Sequence, residues 1–254
     1  MLHAVFVNVS PLAEGHVVLV PDLELHQLPQ VLSHGAVRLL VRFAARGTRQ
    51  DFKVLFNSLG GWASVNSLHI HGLFTSELFP ERQGRFPIEC APRGEGAHIS
   101  SHGVDVDVLR LQYAVEAWVV TATASVGTLE ETVLDILATA VWLIVERLQA
   151  LDVPHHLLAT QGGRRIYVVP RQMQRDLPEG IKFAVMEVLG TAICSSDTGY
   201  SDLTAEHYFA LLKEEVSLTP EQMRYIEEEV FRRLIGSLGA EFDQLQKLPK
   251  LVQK

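Results

Sequence analysis

The chain has 254 residues, 47% of them hydrophobic and 20% charged, a globular composition with enough apolar side chains for a real core. Its net charge of -8 argues against nucleic acid as an obligate partner, because phosphate neutralisation needs clustered Lys and Arg. One bound nucleotide needs only a few local donors and stays open.

The opening MLHAVFVNVSPL lacks the basic start of a signal peptide. The longest apolar run, Ala138 to Val145, falls far below the ~18 residues of a spanning helix. Cys90 and Cys194 stand far apart and make no disulfide or metal spacing, which fits a reducing compartment. These features predict a soluble cytoplasmic chain without a membrane partner.

HAVFVNVSP and GHVVLVP read as strands joined by the turn-rich SPLAEG, so the chain begins directly on a core strand. Val37, Leu40, Val41 and Ala44 then recur at helical spacing until Gly47. Asp51 to Asn57 and Val65 to Phe74 read as a hairpin around the glycine-rich SLGGWAS. Residues 80–103, rich in Pro, Gly, Ser and charge, are expected to form an irregular loop. AVEAWVVTATA is another strand. TLEETVLDILATAVWLIVERLQAL is a helix, with Thr128 and Glu131 as a capping box and Leu129, Val133, Ile136, Leu137, Ala140, Ile144 and Leu148 on one face. HHLLATQGGRRIYVVPR is a second hairpin turning at Gly162-Gly163. Two helices follow, TAEHYFALLKEEV and TPEQMRYIEEEVFRRLIGSL. Thr219 caps the second, with Pro220 at its first position and Gln222 completing the box. Residues 246–254 read as a tail. Hairpins and helices in blocks, without a repeat, predict an α+β fold: one domain over residues 1–245, with a mainly antiparallel sheet flanked by helices.

The stretch NSLGGWASVNSLHIHGLF carries the chemistry. Alternation along a strand puts Ser67, His69, His71 and Leu73 on one face, with Leu68 and Ile70 on the other. The loop beside them offers the amides of Asn57 and Asn66, the hydroxyls of Ser58 and Ser64, and backbone N–H groups made approachable by Gly60 and Gly61. Three readings compete. The histidines could be hydrogen-bonded strand residues without chemistry. They could be metal ligands, with His16, His155 or His156 as further donors. They could handle phosphorus, one imidazole attacking while neighbouring donors hold the charged oxygens; the glycines, serines and asparagines favour this. His16 reads chiefly as a turn-closing residue. His155 and His156 read as exposed or hydrogen-bonded, Arg164 and Arg165 as solvated, and Trp62 as a cover for a sugar or base or as a packing anchor.

VNVSPLAEGHVVLVP followed by LPQVL, and then FNSLGGWASVNSLHIHG, resemble the GDP-hexose phosphorylases of the histidine-triad superfamily, in the branch of the galactose-1-phosphate uridylyltransferases. HHLLATQGGRRIYVVPR is similar to that family's later strand pair. The resemblance implies a histidine-triad-like fold. It implies a nucleotidyltransferase that phosphorolyses GDP-D-glucose or a related GDP-hexose to GDP and hexose 1-phosphate, without metal or cofactor. GDP-hexose and inorganic phosphate would be its partners. His69 falls on the nucleophile position and would form a guanylyl-histidine. Its other ring nitrogen should donate to a backbone carbonyl that fixes the tautomer. The resemblance makes His71 a phosphate donor. Asn57, Ser58, Gly60, Gly61, Ser64 and Asn66 would line the phosphate loop, and Asn8 would lie near the ribose. Two departures stand out: Ser67 replaces the first histidine of the triad, and the segment before the NVSP strand in full-length members is lacking. They motivate the alternative of an inactive relative that binds a nucleotide or a protein partner. A short N-terminus would also leave a sheet edge open to a homodimer.

Overall fold

The computed structural model describes residues 2–25, 28–125, 127, 129–176, 181–194, 203–238 and 241–242. Its frame is a ten-stranded sheet in the order β1-β2-β4-β3-β8-β9-β7-β6-β5-β10. The strands are β1 (Ala4–Val7), β2 (Val17–Val20), β3 (Phe52–Asn57), β4 (Ile70–Phe74), β5 (Arg93–Ser101), β6 (Val104–Leu111), β7 (Trp118–Ala124), β8 (His155–Thr160), β9 (Arg165–Pro170) and β10 (Glu241–Phe242). Every neighbouring pair is antiparallel. The helices are α1 (His34–Arg46), α2 (Glu130–Ala150), α3 (Val185–Val188), α4 (Ala205–Val216) and α5 (Pro220–Leu238). The expected α+β architecture is therefore the observed one.

Each face of the sheet carries its own core. On one, Val54, Phe56, Ile70, Val106, Val120 and Val168 pack against α1, α2 and α5. On the other, Leu55, Leu73, Val119, Leu158, Tyr167 and Val169 pack under Phe86, Ile88, α3 and α4. The helices follow their sequence signals. Ser33 caps α1 by accepting from the Ala36 N–H, and Val37, Leu40, Val41 and Ala44 are buried. Thr219 and Gln222 exchange side-chain bonds with each other's backbone N–H at the start of α5. Helix α2 buries residues almost all round, not one stripe, because it lies between α1, α5 and the sheet. Its expected cap, Thr128, lies outside the described residues, as does the expected tail. No helix among the described residues is long and apolar enough to cross a membrane.

The opening strand β1 is an edge strand with Val5, Phe6 and Val7 exposed, not the expected core strand, and two further expectations need correction. The irregular loop predicted over residues 80–103 holds only in part: two short 3-10 turns occupy Pro80–Arg82 and Pro87–Cys90, and β5 begins at Arg93. Ala97 and Ile99 alternate inward, and a bulge between Arg93 and Gly96 lets the strand pair with β6. Only glycine fits at 96, since a Cβ there would come within 1.9 Å of the Val108 carbonyl oxygen. The last correction concerns β4, which starts at Ile70 and not at Val65, so the connection from β3 is longer than the glycine stretch alone.

The second core holds a buried ion pair among the described residues. Lys53 Nζ lies 2.9 Å from Glu89 Oε1, both side chains being 2% exposed, and Glu89 also accepts from the Phe86 N–H. It pins the segment after β4 to the middle of the sheet. Removing one partner strands the other charge in a dry site, which costs about 3–5 kcal/mol. Lys53→Met should lower the urea unfolding free energy by that order, and Lys53→Met with Glu89→Leu should recover much of it. A single variant as stable as the parent would show that the pair contributes nothing.

Candidate active site

The two histidines sit where alternation puts them. Ile70 points into the helix-covered core, while His69 and His71 face the opposite side with Leu55 and Leu73. Their ring centroids are 5.0 Å apart and the rings nearly perpendicular. His69 Nδ1 lies 2.7 Å from the carbonyl oxygen of Ser67. A carbonyl only accepts, so the ring proton of neutral His69 sits on Nδ1 and Nε2 keeps its lone pair. The expected tautomer lock is therefore present, and it uses the backbone of Ser67, not its side chain.

The same bookkeeping fixes His71. The Leu12 N–H donates to His16 Nδ1 at 3.1 Å, so His16 carries its proton on Nε2. That nitrogen lies 3.0 Å from His71 Nδ1 and donates to it. His71 must then hold its own proton on Nε2, as a donor. One ring presents a lone pair and its neighbour an N–H, which is the pairing needed to attack a phosphorus and hold one of its oxygens. His16, read from sequence as a turn residue, is the link that sets His71. The pair is separated by 55 residues, and no local pattern reveals it.

The loop residues divide. Gly60 and Gly61 adjoin β8 and the chain after β9: a Cβ on Gly60 would meet Met173 and Pro154, and one on Gly61 would meet His156 at 3.1 Å. Ser64 and Asn66 are exposed, and Asn66 Oδ1 accepts from the Gln30 N–H. Asn57 and Ser58 are buried and engaged elsewhere. Asn57 Oδ1 accepts from the Val185 N–H of α3, and Ser58 Oγ accepts from the His155 N–H at 2.7 Å. These two side chains tie the loop root to its surroundings. Asn8 lies beside His16: its Oδ1 accepts from the Ser10 N–H, and its amide nitrogen, itself a donor, lies 3.2 Å from His16 Nε2, whose proton is directed to His71 and not to Asn8. Trp62 has a left-handed backbone at φ 64, its N–H bonded to Gln174 and its ring facing the Lys182 ammonium at 5.2 Å. Gln30 was not singled out from sequence. Its side chain is buried against the backbone of both Asn57 and His69.

Behind the loop lies a dry polar cluster. His155 and His156 are fully buried on β8, not exposed; His155 Nδ1 donates to the Val153 carbonyl, and Arg171 Nη1 donates to His156 Nε2 at 3.2 Å. Arg171 also donates to the Phe183 and Gln172 carbonyls. Burial pushes Arg171 down to about 10 and Glu187 up to about 7. Among the described residues no group of three His, Cys, Asp or Glu side chains could hold a metal, so the metal reading finds no ligand set there.

Comparison with known proteins supplies the lineage. Residues 2–73 match the family model described as GDPGP1-like, N-terminal domain, and residues 87–235 match GDPGP1-like, C-terminal domain. GDP-L-galactose phosphorylase 2 of Arabidopsis thaliana is 28% identical over 238 residues, covering 89% of this chain and 51% of that protein. GDP-D-glucose phosphorylase 1 of Bos taurus is 30% identical over 225 residues, covering 83% and 54%. The Homo sapiens protein of the same name is 45% identical over 95 residues, covering 37% of this chain and 23% of its own. The chain thus spans about half the length of the curated relatives it matches. Among solved structures, the yeast Ap4A phosphorylase in complex with Ap4A superposes with a TM-score of 0.56 at 15% identity, over 83% of this chain and 71% of that one, a likeness of fold.

Burial of these rings makes stability depend on pH. Desolvation, with His69 and His16 nearby, pushes His71 down to about 3, and desolvation holds His155 at about 4. His16 and His156 are lowered as well. In the unfolded chain each titrates near 6.5. Between those values the unfolded state binds more protons, so stability is complete above about pH 6.5 and falls as the pH drops below it. The urea midpoint should be lower at pH 5 than at pH 7.5. His155→Asn, which keeps a donor at the Nδ1 position, should flatten that slope; an unchanged slope would deny His155 a share in it.

Proposed function

Because the chain belongs to the GDPGP1-like family, we propose that it phosphorolyses a GDP-hexose, GDP-D-glucose or a close relative, through a guanylyl-histidine. The observation that carries this reading is the hydrogen-bond pattern on two rings 5.0 Å apart, which leaves a lone pair on His69 Nε2 and an N–H on His71 Nε2. The curated relatives bear the names of GDP-hexose phosphorylases.

His69 Nε2 attacks the α-phosphorus. The N–P bond forms as the bridging P–O bond breaks, and hexose 1-phosphate leaves. Positive charge accumulating on the imidazole is met by the Ser67 carbonyl at Nδ1. His71 donates Nε2–H to a phosphoryl oxygen, and Gly60, Gly61, Ser64 and Asn66 border the phosphates. An oxygen of inorganic phosphate then attacks the same phosphorus, the N–P bond breaks, and GDP departs from a regenerated His69. Splitting the displacement in two lets one nitrogen serve both halves. Ser67 in place of the first triad histidine is tolerated in this scheme, because the contact that orients His69 comes from the main chain. Asn8, beside His16, would meet the ribose side of the nucleotide.

Intact-mass analysis after brief incubation with GDP-glucose, without phosphate, should show one GMP adduct per chain, discharged when phosphate is added. His69→Ala should abolish the adduct and lower turnover at least about a thousandfold while leaving the circular dichroism spectrum unchanged. His71→Ala should still form the adduct, about 10²–10³ slower. Full turnover in His69→Ala would refute the mechanism. Binding of GDP-glucose without any adduct in the parent protein would favour the silent nucleotide binder.

A further inference from the structure

The β3–β4 ladder stops early. Its paired register runs from Phe52↔Phe74 to Leu55↔His71, and continuing it would set Asn57 opposite His69. Those two residues do not complete the ladder with each other. The carboxamide of Gln30 stands between them: its Nε2 donates to the Asn57 carbonyl at 2.8 Å and to the His69 carbonyl at 3.2 Å, and its Oε1 accepts from the His69 N–H at 2.9 Å. Both amide hydrogens and the amide oxygen are thereby used, and Gln30 is 1% exposed. The stretch around it follows the same course, since the Leu68 N–H donates to the Leu28 carbonyl and the Gln30 N–H to Asn66 Oδ1. A carboxamide has the donors and acceptor of a peptide group, so Gln30 acts as one peptide unit of an inserted strand.

We propose that Gln30 is a positioning residue that wedges β4 away from β3 at His69 and sets the backbone on which the His69 tautomer depends. The proposal rests on the reading of His69 as nucleophile. His69 Nδ1 reaches the Ser67 carbonyl only if the backbone from 67 to 69 keeps its bend, and Gln30 grips that backbone on both the N–H and the C=O of residue 69. Without the wedge, Asn57 and His69 can close the ladder directly. His69 then turns away from Ser67, and its proton is free to move to Nε2, the nitrogen that must attack.

The test uses the full chain, labelled with ¹⁵N, as parent, Gln30→Ala and Gln30→Glu. Glutamate keeps the size but replaces the donors with an oxygen facing two carbonyls. Long-range ¹H–¹⁵N histidine spectra should show parent His69 protonated at Nδ1 and the variants carrying a substantial Nε2–H form. Adduct formation from GDP-glucose should slow about a hundredfold, the scale of a misplacement near 1 Å, with KM changed less than about threefold. A purely structural glutamine would shift the melting temperature and leave the tautomer alone. The proposal is overturned if folded variants keep His69 protonated at Nδ1 and form adduct within about threefold of the parent rate. If the parent forms no adduct, the phosphorolysis reading fails, and the tautomer spectra still decide the role of Gln30.

Discussion

A neutral imidazole has two nitrogens and one proton, and the site is organised around where that proton is held. A backbone group fixes the state at each end of the arrangement. The Ser67 carbonyl can only accept, so it claims the proton of His69. The Leu12 N–H can only donate, so it fills His16 Nδ1 and pushes the proton of that ring toward His71. No carboxylate is required, and the two reacting faces come out opposite in character. Burial keeps His71 neutral: pushed down to about 3, it does not lose its donor role at physiological pH.

The sheet makes this geometry rigid. β4 lies inside it, between β2 and β3, so His71 is held on both sides, while His69 directly precedes the strand and is gripped by the Gln30 side chain. Ile70 and Phe74 point to the core under α1 and α2, while Leu73 lies with the two histidines on the face that α3 and the turns after β4 partly cover. That second face tolerates much buried polarity. Lys53 with Glu89, and His156 with Arg171, all lie on its side of β3, β8 and β9 and find partners there. Glu187 is held nearer the neutral form by its burial. The polar groups serve as struts under the loop: Asn57 holds α3, Ser58 holds β8, and Arg171 holds the chain before α3.

Much of this was legible in the sequence where the signal was local. Period-two alternation assigned the faces of His69 and His71, helical spacing placed α1, and the Thr219–Gln222 box marked the start of α5. β6 is legible in the same way, since Val104, Val106 and Val108 alternate cleanly into the core. β5 was obscured because glycines, histidine and serines occupy a bulged strand whose only inward markers are Ala97 and Ile99. The failures at the site share one cause. Gln30 acts on a residue 39 positions away, His16 on one 55 away, and Asn57 on one 128 away. Asn57 and Ser58 looked like phosphate ligands because short polar residues beside glycines suit that task, and the same side chains suit loop anchoring equally well. Composition cannot distinguish the two; tertiary pairing does.

The central seam of the sheet carries a consequence for the growing polypeptide. β3 is fully buried and takes β8 as its neighbour, although β8 begins only at His155. The strand that carries Phe52, Val54 and Phe56 therefore emerges from the ribosome long before the strand that will cover its open edge. At about 5–20 residues per second, roughly a hundred further residues take on the order of 5–20 s to appear. During that interval β3 lacks the partner that will cover one of its ladder edges. The same seam runs between the segments matched by the N-terminal and C-terminal family models, so the two halves are parts of one sheet and not separable beads. Closure of that edge therefore waits for β8, and with it the joining of the two halves of the sheet.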